Sequence, residues 1–194
     1  MTATRAPRRD ARDNAAKLRK AALEQFLANG LDASLYEIAR AAGVSIGTLY
    51  NHFGGREGLI DAVVPDVLGA RLRELAARVD ALATPKQRLE TFVRGMIELQ
   101  SGDPALNDAL LRRFPDAVAL LDICAVSTDL GRALVRDAHR DGSLSPGFTE
   151  DDLLSLLWLA GTASRDPAVP AGWRRVIDRA LDSAWTAEPR TAEP

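Results

Sequence analysis

The side chains best placed to meet something outside the chain lie between Ser45 and Phe53. Indexed as a helix from Leu49 at about 100° per residue, Phe53 and Ser45 fall close to Leu49, and that side faces the interior. Gly47, Thr48, Tyr50 and Asn51 occupy the opposite side. Gly47 has no side chain, so the backbone there can come close to another surface. Thr48 offers a hydroxyl for a phosphate or a base, and a methyl that suits thymine. Asn51 carries the paired donor and acceptor that match an adenine edge. The Tyr50 phenol and the His52 imidazole can donate to phosphate. The N–H groups at the start of such a helix attract phosphate as well. This chemistry is recognition of a nucleic acid surface rather than bond making.

Catalytic constellations are not found. The sequence has no Gly-x-Ser-x-Gly, no phosphate-binding Walker loop, no Gly-x-Gly-x-x-Gly and no His-Glu-x-x-His. His139 stands near Asp137 and Asp141, but a charged run on one helix reads as a solvated face. Two histidines and one cysteine, Cys124, exclude a disulfide framework and a conventional structural zinc site. Cys124 reads as a small buried hydrophobe. No cofactor is implied, and a small helical enzyme stands as the alternative reading.

The elements that must hold the Ser45–Phe53 segment are helices. No alternating run reads as a strand, and Gly and Pro gather between periodic segments. A first helix is expected from Asp10 to Asn29, with Leu18, Ala22 and Phe26 on one face and Gly30 as its stop. Ser34 caps a second helix, with Glu37 completing a capping box. Gly43 makes a tight turn, and Ser45 caps the third. A fourth helix is expected from Arg56 toward Leu82, broken or kinked at Pro65. Others follow from Thr84-Pro85 to Gln100, from Pro104 to Phe114, and from Pro115-Asp116 to Asp141-Gly142. The last two are expected over Glu150–Ala163, behind Thr149, and over Trp173–Ala187. Residues 1–9 are expected to be a disordered basic arm, and 188–194 a flexible tail.

The composition suits an ordinary globular chain: 194 residues, 46% apolar and 27% charged. The net charge of −2 hides an asymmetry. Residues 1–60 hold 9 basic and 6 acidic residues, and residues 61–194 hold 16 and 21. A basic leading segment ahead of an acidic remainder suits contact with phosphates. No secretory signal is read in residues 1–20, and the longest apolar stretch, Leu153–Gly161, is about half a membrane span. A cytoplasmic location without membrane attachment is expected.

The run Ile38-Ala39-Arg40-Ala41-Ala42-Gly43-Val44-Ser45-Ile46-Gly47-Thr48-Leu49-Tyr50-Asn51-His52-Phe53, followed by Arg56-Glu57 and Leu59-Ile60, strongly resembles the TetR family of regulators. So does Ala21-Ala22-Leu23-Glu24-Gln25-Phe26 ahead of Gly30. The resemblance covers roughly residues 15–65. It implies an all-α fold with a three-helix helix-turn-helix domain (10–56) and a larger ligand-binding and dimerisation domain (57–187). It also implies that Ser34, Thr48, Tyr50, His52 and Arg56 touch phosphate, while Ser45, Ile46, Gly47 and Asn51 lie at or near base edges. The chain departs from the pattern in three places. The link from Gly30 to Ile38 is one residue shorter than the commonest form. Gly54-Gly55 replaces a frequent Pro and polar residue, and Arg56 replaces the more usual Lys.

Beyond Val64 the resemblance reduces to pattern, though Leu110–Gly161 is similar to the C-terminal domains of SbtR-like actinobacterial regulators. A pocket for an uncharged, largely apolar small molecule is expected among Phe92, Met96, Leu99, Phe114, Cys124 and Trp158. The wide apolar stripes of the last two helices suit a homodimer through Leu153, Leu157, Trp173, Ile177, Leu181 and Ala184. These readings describe a ligand-responsive repressor that binds a palindromic operator in double-stranded DNA. A regulator working through a protein partner, with its DNA-reading helices idle, is a third possibility.

Overall fold

The computed structural model describes residues 7–112 and 114–186. Among them are nine helices: α1 (Pro7–Asn29), α2 (Leu35–Ala41), α3 (Ile46–Phe53), α4 (Arg56–Asp80), α5 (Pro85–Gly102), α6 (Pro104–Leu111), α7 (Val118–Arg140), α8 (Glu150–Arg165) and α9 (Trp173–Ser183). The all-α expectation holds among the described residues. Helix α1 opens at Pro7, three residues ahead of the expected start. Of the disordered arm expected over residues 1–9, residues 7–9 are instead the first turn of α1; residues 1–6, and the tail expected over 188–194, lie outside the described residues.

The chain forms two compact units. Unit 1 comprises the residues up to Arg71 together with Gly102–Ala125; unit 2 comprises Leu72–Ser101 and the residues from Val126 onward. The long helices α4 and α7 each contribute to both.

In unit 1, Leu18, Ala22 and Phe26 of α1 are fully buried, as their shared face requires. They pack with Ile38 of α2 and Leu49 of α3, which are also fully buried. Leu59, Ile60 and Leu68 bring the first half of α4 into the same core, and Leu106 brings α6. The expected break at Pro65 does not occur. Helix α4 runs through it, although a helical Pro gives up a hydrogen bond at a cost of about 3 kcal/mol. Burial of Val63, Val64, Pro65 and Leu68 around that turn offsets the cost. The start of α7 is held from α4: Glu57 accepts from the Asp116 N–H at 2.6 Å, and Asp61 accepts from the Leu120 N–H at 3.2 Å. Carboxylates one helical turn apart thus cap the positive end of a neighbouring helix.

In unit 2, Leu75 and Val79 of α4 pack with Leu89, Phe92, Val93 and Met96 of α5. Helices α7 and α8 add Leu134, Val135, Leu153 and Leu156. Two glycines set how closely these helices cross. A Cβ at Gly95 would stand 2.4 Å from Leu75 Cδ1, and one at Gly131 would stand 2.9 Å from the Phe92 ring. Helix α8 begins with a complete capping box between Thr149 and Asp152. Helix α9 stops at Ser183, short of the expected Ala187, because the chain there pairs with the 143–145 segment. Ser145 N–H donates to Ala184 O at 2.8 Å, and Thr186 N–H donates to Ser143 O at 3.0 Å, around an antiparallel Leu144–Trp185 bridge.

Candidate DNA-binding interface

The three N-terminal helices hold Ile46–Phe53 through local hydrogen bonds that the sequence makes available. Gly30 takes a left-handed conformation, φ 86°, to end α1. Ser34 is the N-cap of α2, its Oγ accepting the Glu37 N–H at 3.4 Å. The reciprocal half of the expected capping box is replaced: the Glu37 carboxylate pairs with Arg40 instead. Gly43, φ 68°, turns the chain between α2 and α3. Ser45 then caps α3, accepting the Thr48 N–H at 3.1 Å, and its hydroxyl pairs with that of Thr48 at 2.9 Å.

Helix α3 is amphipathic as indexed. Leu49 is fully buried and Phe53 half-buried, while Gly47, Tyr50, Asn51 and His52 are exposed. Ile46 and Thr48 are half-buried at the helix start. The glycine at 47 has no internal reason: a Cβ there would meet only Ser45 Oγ, at an ordinary 3.7 Å. The C-terminal end is fixed by Gly54 at φ 72°, whose N–H returns to Tyr50 O at 2.8 Å. Gly55 follows at φ 142°, close under the Tyr50 ring. The glycine pair that departs from the family pattern therefore supplies two positive-φ positions in succession.

Arg56 is placed differently from a simple surface cation. Its Nη1 donates to Leu31 O at 2.6 Å and Ala33 O at 2.8 Å, tying the start of α4 to the α1–α2 link. From the other side, Asp108 of α6 accepts the Leu31 N–H at 2.7 Å, and Arg112 pairs with Asp32. The short link from Gly30 to Ile38 is thus clamped by α4 and α6. The hydrogen bond from Arg112 lowers the pKa of Asp32, with burial opposing it.

Two groups beside this surface escaped the sequence reading. Tyr36 is 65% exposed on α2. Its position about 200° from buried Ile38 was the available signal. Arg19 of α1 lays its guanidinium 6.0 Å from the centre of the Phe53 ring, a tertiary contact that no local pattern encodes.

The residues expected around a ligand are divided between the two units. Phe92 and Met96 are buried in unit 2 and Leu99 is half-buried there, whereas Phe114 and Cys124 belong to unit 1. Trp158 is 53% exposed on α8. Unit 2 carries an open cleft of about 440 Å³ between α8 and α9, lined by residues that include Phe148, Leu156, Leu159, Val176 and Ile177, and by none of those six. The residues expected at a subunit contact divide as well. Leu153, Leu181 and Ala184 are buried in their own unit, because the α8 and α9 stripes close on each other there. Leu157, Trp173 and Ile177 are half-buried. The exposed large apolar residues of these helices are Trp158, Leu159 and Val176.

Residues 18–63 match the family model described as bacterial regulatory proteins, tetR family. This chain is 27% identical over 168 residues to the HTH-type transcriptional regulator BetI of Proteus mirabilis, covering 78% of this chain and 80% of that one. It is 35% identical over 91 residues to the regulatory protein RaaS of Mycobacterium tuberculosis, a match spanning 41% of that relative. A match to BetI of Rhizobium meliloti spans 32% of its length. Among solved structures, the TetR transcription regulatory protein from Mycobacterium vanbaalenii is 28% identical with a TM-score of 0.53, covering 92% of this chain and 99% of that one. The regulator FadR from Bacillus subtilis, solved with stearoyl-CoA, shares the fold at a TM-score of 0.60 and 18% identity, covering 86% and 97%. Among the described residues, no helix is long and apolar enough to cross a membrane.

Proposed function

We propose that this chain is a tetR-family regulator: a ligand-responsive repressor, acting in the cytoplasm, that binds a palindromic operator as a homodimer and is released by a small molecule. The observation that carries the DNA-binding part is Gly47. It is an exposed glycine in a short helix whose own fold has room for a side chain. Such a glycine costs helix stability, and close approach of an outside surface accounts for it. In this reading Gly47 and Asn51 face the bases, with Ser45 and Ile46 beside them at the helix start. Ser34, Thr48, Tyr50 and His52 position the protein on phosphates, and Arg56 acts mainly through its clamp on the α1–α2 link.

Two such helices must stand about one DNA turn apart, ~34–36 Å, to read a palindrome. The exposed Trp158, Leu159 and Val176 support α8 and α9 as the surface for a second copy. Residues 10–56 then read DNA, and residues 57–187 carry the ligand and the subunit contact. A ligand releases the operator only by binding one conformation better than the other. The clamp of α6 on the α1–α2 link offers a route by which a shift of α6 reaches the DNA-reading helices. FadR, solved with stearoyl-CoA, fits an effector with a large apolar part.

The test is binding of the purified chain to its own upstream DNA against random duplex of equal length, across a salt series. A specific complex that weakens steeply with salt is expected. Equal binding to both duplexes would refute the proposal.

A further inference from the structure

We propose that α3 reads A·T base pairs only: Asn51 takes an adenine edge, the Thr48 methyl takes a thymine methyl, and this helix does not read guanine. The proposal rests on the DNA-binding reading above and specifies the bases recognised.

Guanine is most often read by the two-pronged donation of Arg or Lys to its O6 and N7. No Lys or Arg occurs in Ile46–Phe53. Three cations near the helix have partners other than a base. Arg40 pairs with Glu37 on α2, Arg56 Nη1 is fixed on the Leu31 and Ala33 carbonyls, and the Arg19 guanidinium lies over Phe53. His52 sits in the last turn beside Phe53, their ring centres 6.1 Å apart, on the flank away from Gly47. From there it donates one hydrogen bond to a phosphate rather than a pair to a base.

What remains at the centre of the exposed face has the chemistry of A·T recognition. Gly47 and Asn51 are one turn apart, so the missing side chain at 47 lets the Asn51 amide descend to a base edge. An Asn amide matches adenine N6 and N7. Thr48 lies three residues before Asn51 on the adjoining row. Its hydroxyl pairs with that of Ser45 at 2.9 Å and keeps a further site for phosphate, while the methyl, on the other branch of Cβ, is the group it presents to a base. The methyl's complement in the major groove is the C5-methyl of thymine. Because the two side chains are helix neighbours, the bases they reach are adjacent or nearly so. Each half-site therefore contains a short A·T block facing α3, and G·C pairs are tolerated or required only where other parts of the protein meet the duplex.

The experiment is selection of binding sites from randomised duplex DNA with the full-length protein, followed by single-atom changes in the selected site. The expected consensus has A at the position whose discrimination is lost in Asn51→Ala, by a factor of about 10 to 100. Replacing the neighbouring thymine with deoxyuridine is expected to weaken wild-type binding about fourfold, the worth of one buried methyl group. The same replacement should leave Thr48→Ser unaffected, since that variant keeps the hydroxyl pair with Ser45 and lacks the methyl. A G·C pair at the position sensitive to Asn51 would overturn the proposal. So would an equal effect of deoxyuridine on wild type and Thr48→Ser. Failure to enrich any sequence would instead overturn the DNA-binding reading itself, and this inference with it.

Discussion

The carboxylate of Asp108, on α6, accepts the backbone N–H of Leu31 at 2.7 Å, across 77 residues of chain. Leu31 is fully buried, and its carbonyl is taken on the other side by Arg56. Both backbone polar groups of Leu31, in the α1–α2 link, are therefore satisfied by side chains from different helices. Asp108→Ala leaves the Leu31 N–H without its acceptor, which costs on the order of 1–3 kcal/mol. Asp108→Asn keeps an acceptor oxygen and is expected to lose less. Denaturant midpoints of the two variants give the comparison, and operator affinity should fall with the midpoint in the Ala variant. An Ala variant as stable as wild type would mean that the bond contributes nothing.

On the proposed DNA-binding reading, Gly47 separates the needs of the fold from the needs of the interface. Its backbone is ordinary helix, and a Cβ would stand 3.7 Å from Ser45 Oγ. Gly47→Ala should therefore leave thermal stability unchanged or raise it, by up to about 1 kcal/mol from helix propensity. The same substitution should weaken operator binding at least tenfold, because the added methyl stands between the helix and the duplex. Loss of stability in Gly47→Ala would show that the glycine serves the fold.

Much of this arrangement could be read before the structure. The Leu18, Ala22 and Phe26 stripe, the Gly43 turn and the Ser45 cap are local patterns, and each stands where the periodicity puts it. What could not be read depends on distant partners. Helix α7 starts at Val118 rather than Pro115 because the groups that cap it, Glu57 and Asp61, lie on α4. Pro65 does not break α4 because the residues around it are buried by tertiary packing. Arg56 carries the charge expected of a phosphate ligand, but no sequence pattern tells that Nη1 grips two carbonyls 25 and 23 residues earlier. The α8 and α9 stripes were legible as apolar. Which side closes on the core of unit 2, as Leu153 and Leu181 do, and which stays open, as Leu159 and Val176 do, depends on their mutual rotation.

Gly58 is the glycine the fold itself cannot spare. A Cβ there would stand 2.0 Å from the Phe53 carbonyl oxygen, a backbone atom that cannot rotate away. Gly58→Ala must push the start of α4 from the end of α3, with an expected loss on the order of 2–3 kcal/mol, in the range for strained core substitutions. Gly102 is the control, since a Cβ there meets nothing within 4 Å. Gly102→Ala should leave the denaturation midpoint close to that of wild type. If both variants behaved alike, the close approach of Gly58 to Phe53 would not be a feature of the folded protein.

Cys124 carries the clearest dependence on pH. Its thiol donates toward Ala109 O at 3.7 Å, and burial pushes its pKa up from 9.0 to about 11. At pH 8 the folded protein then holds roughly a hundredfold less thiolate than an unperturbed cysteine would, so alkylation by iodoacetamide should be slower in proportion. Denaturation should restore the ordinary rate. The sign for stability follows from linkage: the ionised thiolate is disfavoured in the folded state, so the contribution is complete below the unfolded pKa. It is lost as pH rises through the window from 9.0 to about 11. Other groups titrate in that window, so the readout is the difference between wild type and Cys124→Ala. Wild type should lose stability relative to the variant on going from pH 8 to pH 11, and a constant difference would show that the thiol is not desolvated.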